Sequence, residues 1–240
     1  MDAYIQITTA CNMSCAHCCF ACSAEKKGES MSPKTYKKAV ALAEDYGMNI
    51  MIGGGEPTIH ARFWEYFGIA MGAQVDHVWM ATNGSKTETS LALAAISTSE
   101  KFSCALSVDD YHDPIDPIVY RTFKEVGAEI RGGSEVVLNV GSAKENNIGK
   151  REGCGCSHIA FIHPSGDVRA CACLDARSLG HIDDDDIGEK IERIRELEDN
   201  DLESCHVLID PTAEEFLFEG EMNIEDVLEE IEGDDLCQAA

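Results

Sequence analysis

No stretch of this 240-residue chain approaches the roughly 18–20 apolar residues of a helical membrane span, so membrane insertion is not expected. The opening residues, MDAYIQITTAC, lack the basic segment and long apolar run of a secretion signal, and the expected location is the cytoplasm. Basic residues are scarce: 19 Lys and Arg stand against 44 Asp and Glu, a net charge of −25. Docking on a nucleic-acid backbone needs a clustered basic surface. Only Lys26, Lys27, Lys34, Lys37 and Lys38, and later Lys144, Lys150 and Arg151, gather at all. Both groups read as solvated faces, and a nucleic-acid partner is disfavoured. There is no internal repeat, and the length suits one sizeable core with a small appendage.

Cysteine, by contrast, is abundant. Twelve are present, five of them within CNMSCAHCCFACS at residues 11–23. Thiols so close cannot all pair without strain, and disulfides are rare in the cytosol, where cysteine clusters bind metal or catalyse. The surrounding pattern alternates. Apolar runs at 3–9, 49–54, 77–83, 102–108 and 135–141 read as strands. Between them, 32–47 reads as a helix with Ser32 as N-cap, Pro33 at its first position and Gly47 as its stop. Residues 61–71, 89–97 and 117–127 read as further helices. Such alternation implies a parallel sheet covered by helices, with ligands at the carboxyl ends of the strands. The cysteine loop, GGGEP, TNG and DDYHD each follow one of the first four strands, so all four fall on one rim.

Cys11, Cys15 and Cys18 form C-x3-C-x2-C. Three thiolates in a short loop can hold three irons of a [4Fe–4S] cube and leave the fourth open. A zinc knuckle completed by His17 or Cys22 is the alternative. Followed by Gly54-Gly55-Glu56-Pro57, the spacing resembles the radical SAM superfamily over residues 3 to about 141. That resemblance implies that S-adenosylmethionine (SAM) chelates the open iron. One electron from the reduced cluster then yields a 5′-deoxyadenosyl radical that abstracts hydrogen from substrate. It further implies that Gly54, Gly55 and Glu56 hold the SAM amino group, and that Asn83, Ser107 and Asp109 contact its methionyl and ribose parts, with Asn139 and Gly141 as weaker matches. The residue before the third cysteine is commonly aromatic in the family; here it is His17, still expected in the SAM pocket. Cys19 reads as a small buried residue, and Cys104 as core. Cys22 and His112 are the candidates for a catalytic role.

Cys154, Cys156, Cys171 and Cys173 are two C-x-C pairs at the feet of an expected hairpin with the turn PSGD. A register pairing 156 with 171 and 154 with 173 would bring four thiols together, for zinc or iron–sulfur. Nine residues separate Cys156 from Gly166, and four separate Gly166 from Cys171. This resembles the opening of the SPASM and twitch extensions, which carry auxiliary iron–sulfur clusters, and implies one auxiliary [4Fe–4S] cluster, with Cys205 a competing ligand and Cys237 unliganded.

The expected architecture is α/β: a partial TIM-like barrel of five to six parallel strands (1–150), a hairpin and helix extension for the auxiliary cluster (151–204), and an acidic segment with an amphipathic helix (205–240). The expected function is that of a radical SAM enzyme acting on a peptide or protein side chain. The alternatives are a small metabolite, sugar or nucleoside as substrate, or a non-catalytic metal scaffold. A low-potential electron donor such as flavodoxin or ferredoxin is an expected partner. The first strand begins near residue 3, so leader-peptide recognition would need a separate protein or be absent.

Overall fold

In the computed structural model, residues 1–132, 137–150, 159–172, 176, 178–199, 223 and 225 are described. Five strands alternate with helices: β1 (Asp2–Thr8), α1 (Pro33–Asp45), β2 (Asn49–Gly54), α2 (Phe63–Gly72), β3 (Val78–Thr82), α3 (Thr87–Ile96), β4 (Phe102–Ser107), α4 (Pro117–Glu125) and β5 (Ile130–Arg131). After α5 (Gly141–Glu145) come β6 (Ile159–Ile162), β7 (Asp167–Arg169), β8 (Ser178–His181) and α6 (Ile187–Asp199). One eight-stranded sheet has the order β5-β4-β3-β2-β1-β6-β7-β8. Six neighbouring strands are parallel, and β7 and β8 add antiparallel at one edge. This is the expected open α/β sheet, consistent with a partial barrel. No helix among the described residues is long and apolar enough to cross a membrane.

Local sequence explains the elements. Ser32 caps α1, accepting from Thr35 N–H at 3.1 Å, and Gly47 lies beyond its end at φ 58°. Helix α2 buries Phe63, Tyr66, Phe67 and Ala70, the spacing of one helical face. The strands that face helices are buried almost throughout: Ile5, Ile52, Met80, Phe102 and Cys104 are inaccessible or nearly so. Cys104 is core, as expected.

Two expectations are corrected. The fifth parallel strand is not 135–141 but the two-residue β5, paired with Leu106 and Ser107; residues 133–136 lie outside the described set, and α5 begins at Gly141. The strand next to β4 is instead the short IR before a glycine pair. The hairpin register also differs. Phe161 pairs with Arg169 and Ile162 with Val168, three positions away in summed numbering from the 156–171 register. The turn dictates this: Gly166 N–H donates to the His163 carbonyl, His163 N–H donates to the Asp167 carbonyl, and Gly166 holds φ 96°. A three-residue loop ending in a left-handed glycine centres the hairpin on residue 165. Moreover, β6 pairs in parallel with β1, so the hairpin continues the main sheet. The expected C-terminal amphipathic helix lies outside the described residues.

The cysteine loop is tied down at both ends. Thr8 Oγ1 and Thr9 N–H both donate to the Glu29 carbonyl, and Met31 N–H donates to Ile7. The Met31 carbonyl accepts from the buried Tyr66 hydroxyl at 2.8 Å, and Tyr66 stacks on Tyr36 at 4.1 Å. Tyr66→Phe removes one buried hydrogen bond without opening a cavity. It is expected to lower unfolding free energy by about 1 kcal/mol, read as a shifted urea midpoint with an unchanged slope.

Candidate functional site

The rim carries a cavity of about 540 Å³, lined from every parallel strand and by the cysteine loop. From the loop come Cys11, Cys15, His17, Cys18, Cys19 and Cys22; from the end of β2, Gly54, Gly55 and Glu56; from the end of β3, Asn83; from β4, Ser107, Asp109 and His112. The cavity therefore gathers the site residues expected from the first four strand ends, while the weaker matches Asn139 and Gly141 are not among its lining. Of the hairpin thiols, Cys171 is buried after β7, while Cys154, Cys156 and Cys173 lie outside the described residues, as do Cys205 and Cys237.

The loop after β2 is built against β1. Gly55 N–H donates to the Thr8 carbonyl at 2.8 Å, and Glu56 N–H to the Ala10 carbonyl at 2.9 Å. A Cβ on Gly55 would stand 2.3 Å from the Ala10 oxygen, which is why glycine occupies that position. Glu56, 1% exposed, then turns its carboxylate inward. Its Oε1 accepts from Thr58 N–H (3.0 Å), Thr58 Oγ1 (2.6 Å) and Thr82 Oγ1 (2.9 Å), and its Oε2 accepts from Asn83 N–H (2.7 Å). Burial raises the Glu56 pKa, and these donors oppose the rise. The carboxylate thus clamps the ends of β2 and β3 together. The fewer donors on Oε2 leave it able to take one more. Thr58 and Thr82 were not singled out in the sequence, because a threonine near a strand end carries no signal by itself.

On the opposite side of the cavity Asp109 gathers two histidines. Its Oδ1 accepts from Tyr111 N–H at 2.8 Å and lies 2.7 Å from His112 Nδ1, and its Oδ2 lies 3.1 Å from His17 Nε2. Burial would raise the Asp109 pKa, but the His112 and Tyr111 donors outweigh it and hold the carboxyl below its usual range. His17 stacks on Tyr111 at 4.7 Å, and its Nδ1 is buried with no hydrogen-bond partner. Burial lowers the His17 pKa, which keeps that nitrogen an acceptor. Arg131, over Trp79 at 5.6 Å, adds a cation to the cavity wall. It escaped the sequence reading because β5 was expected further along the chain.

The three spaced thiols suit a cluster better than a single ion. Zinc–thiolate bonds of about 2.3 Å would draw tetrahedral sulfurs within about 4 Å of one another. Among the described residues the one group of three ligand atoms within 4.8 Å is His17, Asp109 and His112; the cysteines form none. Cys11 and Cys15 are pushed up by burial, Cys15 to about 12, so nearby positive charge is needed to hold them as thiolates. Cys18 is lowered by the neighbouring Cys22 side chain, against the rise from burial. Cys19, expected to be buried, is exposed toward the cavity, while Cys22 is buried. Helix α5 braces the loop: Ser142 N–H donates to the Cys18 carbonyl at 2.9 Å, and Asn146 Nδ2 to Ala16 at 3.0 Å.

The profile of the Radical SAM superfamily matches residues 5–131, more than half of the chain. The mycofactocin maturase MftC of Mycolicibacterium smegmatis is 29% identical over 115 residues, covering 48% of this chain and 29% of that protein. MftC of Mycobacterium tuberculosis (strain H37Rv) is 32% identical over 94 residues, covering 39% of this chain and 24% of that protein. The chain thus spans less than a third of these relatives' length. Among solved structures, BtrN in complex with AdoMet and 2-DOIA superposes with a TM-score of 0.56 at 16% identity, covering 88% of this chain and 96% of that one. This likeness is one of fold.

Glu56→Gln replaces one acceptor oxygen by an amide that cannot accept, facing donors on Thr58, Thr82 and Asn83. An unmet buried donor costs about 1–3 kcal/mol. The variant is expected to unfold at lower urea even before any ligand is added, measured by circular dichroism on the metal-free chain.

Proposed function

The chain belongs to the radical SAM superfamily, and from that premise we propose that it modifies a peptide or protein side chain, with Cys11, Cys15 and Cys18 holding the [4Fe–4S] cluster that binds SAM. When bound, the cluster and SAM together supply a 5′-deoxyadenosyl radical that takes a hydrogen atom from substrate. The chain's own residues supply the positions around that event. Glu56, held by four hydrogen bonds, offers Oε2 to the SAM ammonium. Gly54 and Gly55 let backbone approach it. His17 Nδ1, a buried acceptor without a donor, suits the adenine amino group. Asn83, Ser107 and Asp109 line the path between. His112 presents an imidazole oriented through Nδ1 by Asp109, the arrangement of a proton acceptor beside the substrate.

The observation that carries the reading is the convergence of the three-cysteine loop, the Glu56 clamp and the Asp109 pair on one cavity at the strand ends. The peptide substrate is supported by the maturase name of the aligned relatives and by the twitch-like Cys156–Gly166–Cys171 spacing. On the same reading, residues 151–204 carry an auxiliary [4Fe–4S] cluster on Cys154, Cys156, Cys171 and Cys173. The partners are then a low-potential flavodoxin or ferredoxin and a separate leader-binding protein, with the chain acting in the cytoplasm.

Anaerobic reconstitution tests this. Each cube contributes about four irons, so about eight per chain are expected. Replacing Cys11, Cys15 and Cys18 by Ala together should remove half and abolish 5′-deoxyadenosine formation. Replacing Cys171 should remove the other half and spare substrate-free SAM cleavage. Four irons with one zinc would make the hairpin a zinc site. A mass change on a peptide encoded beside the gene is the expected product; a change only on small metabolites would overturn the peptide reading.

A further inference from the structure

The inner face of the sheet carries a second set of groups that SAM binding does not use. Strand β1 contributes Tyr4, β2 Met51 and β3 Trp79, and the cysteine loop adds Phe20; all four line the cavity. Tyr4 packs on Phe20 with ring centroids 5.5 Å apart, and lies so close over β2 that a Cβ on Gly53 would stand 2.0 Å from its ring. This floor is apolar except at one end, where β5 places Arg131.

Among the described residues, Arg131 is the only Lys or Arg in the cavity lining. Its backbone is fixed: Arg131 pairs with Ser107, and its carbonyl accepts from Val108 N–H at 2.8 Å. Trp79 pairs with Ser103, nearer the amino end of β4. The Arg131 side chain therefore runs back down the sheet, away from the rim, to rest over the Trp79 ring at 5.6 Å. Glu129 braces it, with Oε1 3.5 Å from Arg131 Nε and Oε2 accepting from Trp79 Nε1 at 3.4 Å. That contact uses the inner nitrogen of the guanidinium and leaves the two terminal ones, on a side chain 44% exposed, to meet a ligand. Glu56 and Asp109 do not compete for them. Glu56 is engaged by Thr58, Thr82 and Asn83, and Asp109 by His17, Tyr111 and His112.

We propose that Arg131 binds a carboxylate of the substrate, so that the cavity selects peptides presenting an acidic group beside an apolar one; this rests on the reading of the cavity as the place where SAM meets a peptide. A guanidinium matches a carboxylate through two parallel N–H···O bonds, a geometry that lysine cannot supply. The indole beneath holds the fork in place and adds its own attraction for the cation. In a chain of net charge −25 an anionic ligand is repelled at long range, so a placed cation is what makes its binding favourable. The carboxylate at a peptide's C-terminus and that of an Asp or Glu side chain offer the same two oxygens.

Two pairs of probes separate these sources: N-acetyl-leucine against N-acetyl-leucinamide for the terminal group, and N-acetyl-glutamic acid α-amide against N-acetyl-glutamine α-amide for the side chain. Binding is measured by anaerobic isothermal titration calorimetry on the reconstituted full chain with SAM bound. In at least one pair the carboxylate should bind about tenfold tighter than its neutral partner, the discrimination of a hydrogen-bonded charge at a half-exposed site. The pair that discriminates identifies the source. Arg131→Gln, with wild-type circular dichroism, should abolish the preference and leave SAM affinity unchanged. Arg131→Lys, a point charge without the fork, should keep only part of it. Equal binding within both pairs by the wild-type chain would overturn the proposal whatever the variants do. A carboxylate preference that survives Arg131→Gln would overturn it too, as would loss of SAM affinity in that folded variant, which would assign the guanidinium to SAM. A wild-type chain that binds no SAM would instead overturn the reading of the cavity, and the proposal with it.

Discussion

Strand β1 is hydrogen-bonded in parallel along both edges, to β2 on one side and β6 on the other, and the site inherits its geometry from that double pairing. A strand held on both edges cannot slip by one residue without turning its buried set, Ala3, Ile5 and Ile7, to the other face. Its carboxyl end is therefore fixed, and the cysteine loop leaves from a rigid point. The loop after β2 hydrogen-bonds back to Thr8 and Ala10 at that same end. On the other edge, β6 leads into the hairpin whose Cys171 is buried beside the sheet. Candidate ligands from distant parts of the chain thus meet because they all issue from strands aligned with β1.

Within that frame two buried or half-buried carboxylates do different work. Glu56 is inaccessible and its oxygens accept from hydroxyl and backbone donors, which oppose the rise that burial imposes on its pKa. This uses a buried carboxyl group to join two loops, and leaves a polar atom aimed where an ammonium could be bound. Asp109 faces the cavity and uses both oxygens to orient imidazoles. One carboxylate makes the rim rigid, and the other sets the tautomers of the groups that line it. The thiols between them sit in surroundings that disfavour their ionisation, except at Cys18, so metal is the natural source of the missing positive charge.

Much of this was legible in the one-dimensional pattern. Periodicity and caps place α1 to within two residues, because Ser32, Pro33 and Gly47 act through backbone chemistry that is local. The first four strands are read correctly for a similar reason: both faces of a covered parallel sheet are apolar, and the runs show it. The motifs at their ends follow from the same alternation. The fifth strand was misread because its two residues carry too little pattern to compete with the apolar run that follows. The hairpin register was misread because sequence symmetry between cysteines is a weaker determinant than the turn, where the φ of Gly166 fixes the pairing.

What the sequence by itself determined is the class of fold, the spacing of three thiols on one loop, and the ordering of motifs along a rim. These depend on short-range periodicity and on chemistry carried within a few residues. What only the tertiary structure decided is which groups meet: Glu56 with Thr82 and Asn83, Asp109 with His17, β6 beside β1, and Arg131 over Trp79. Each of these pairs separates in sequence by tens of residues. Its distance is set by strand pairing and core packing summed over the whole sheet, a constraint that no local stretch of chain contains.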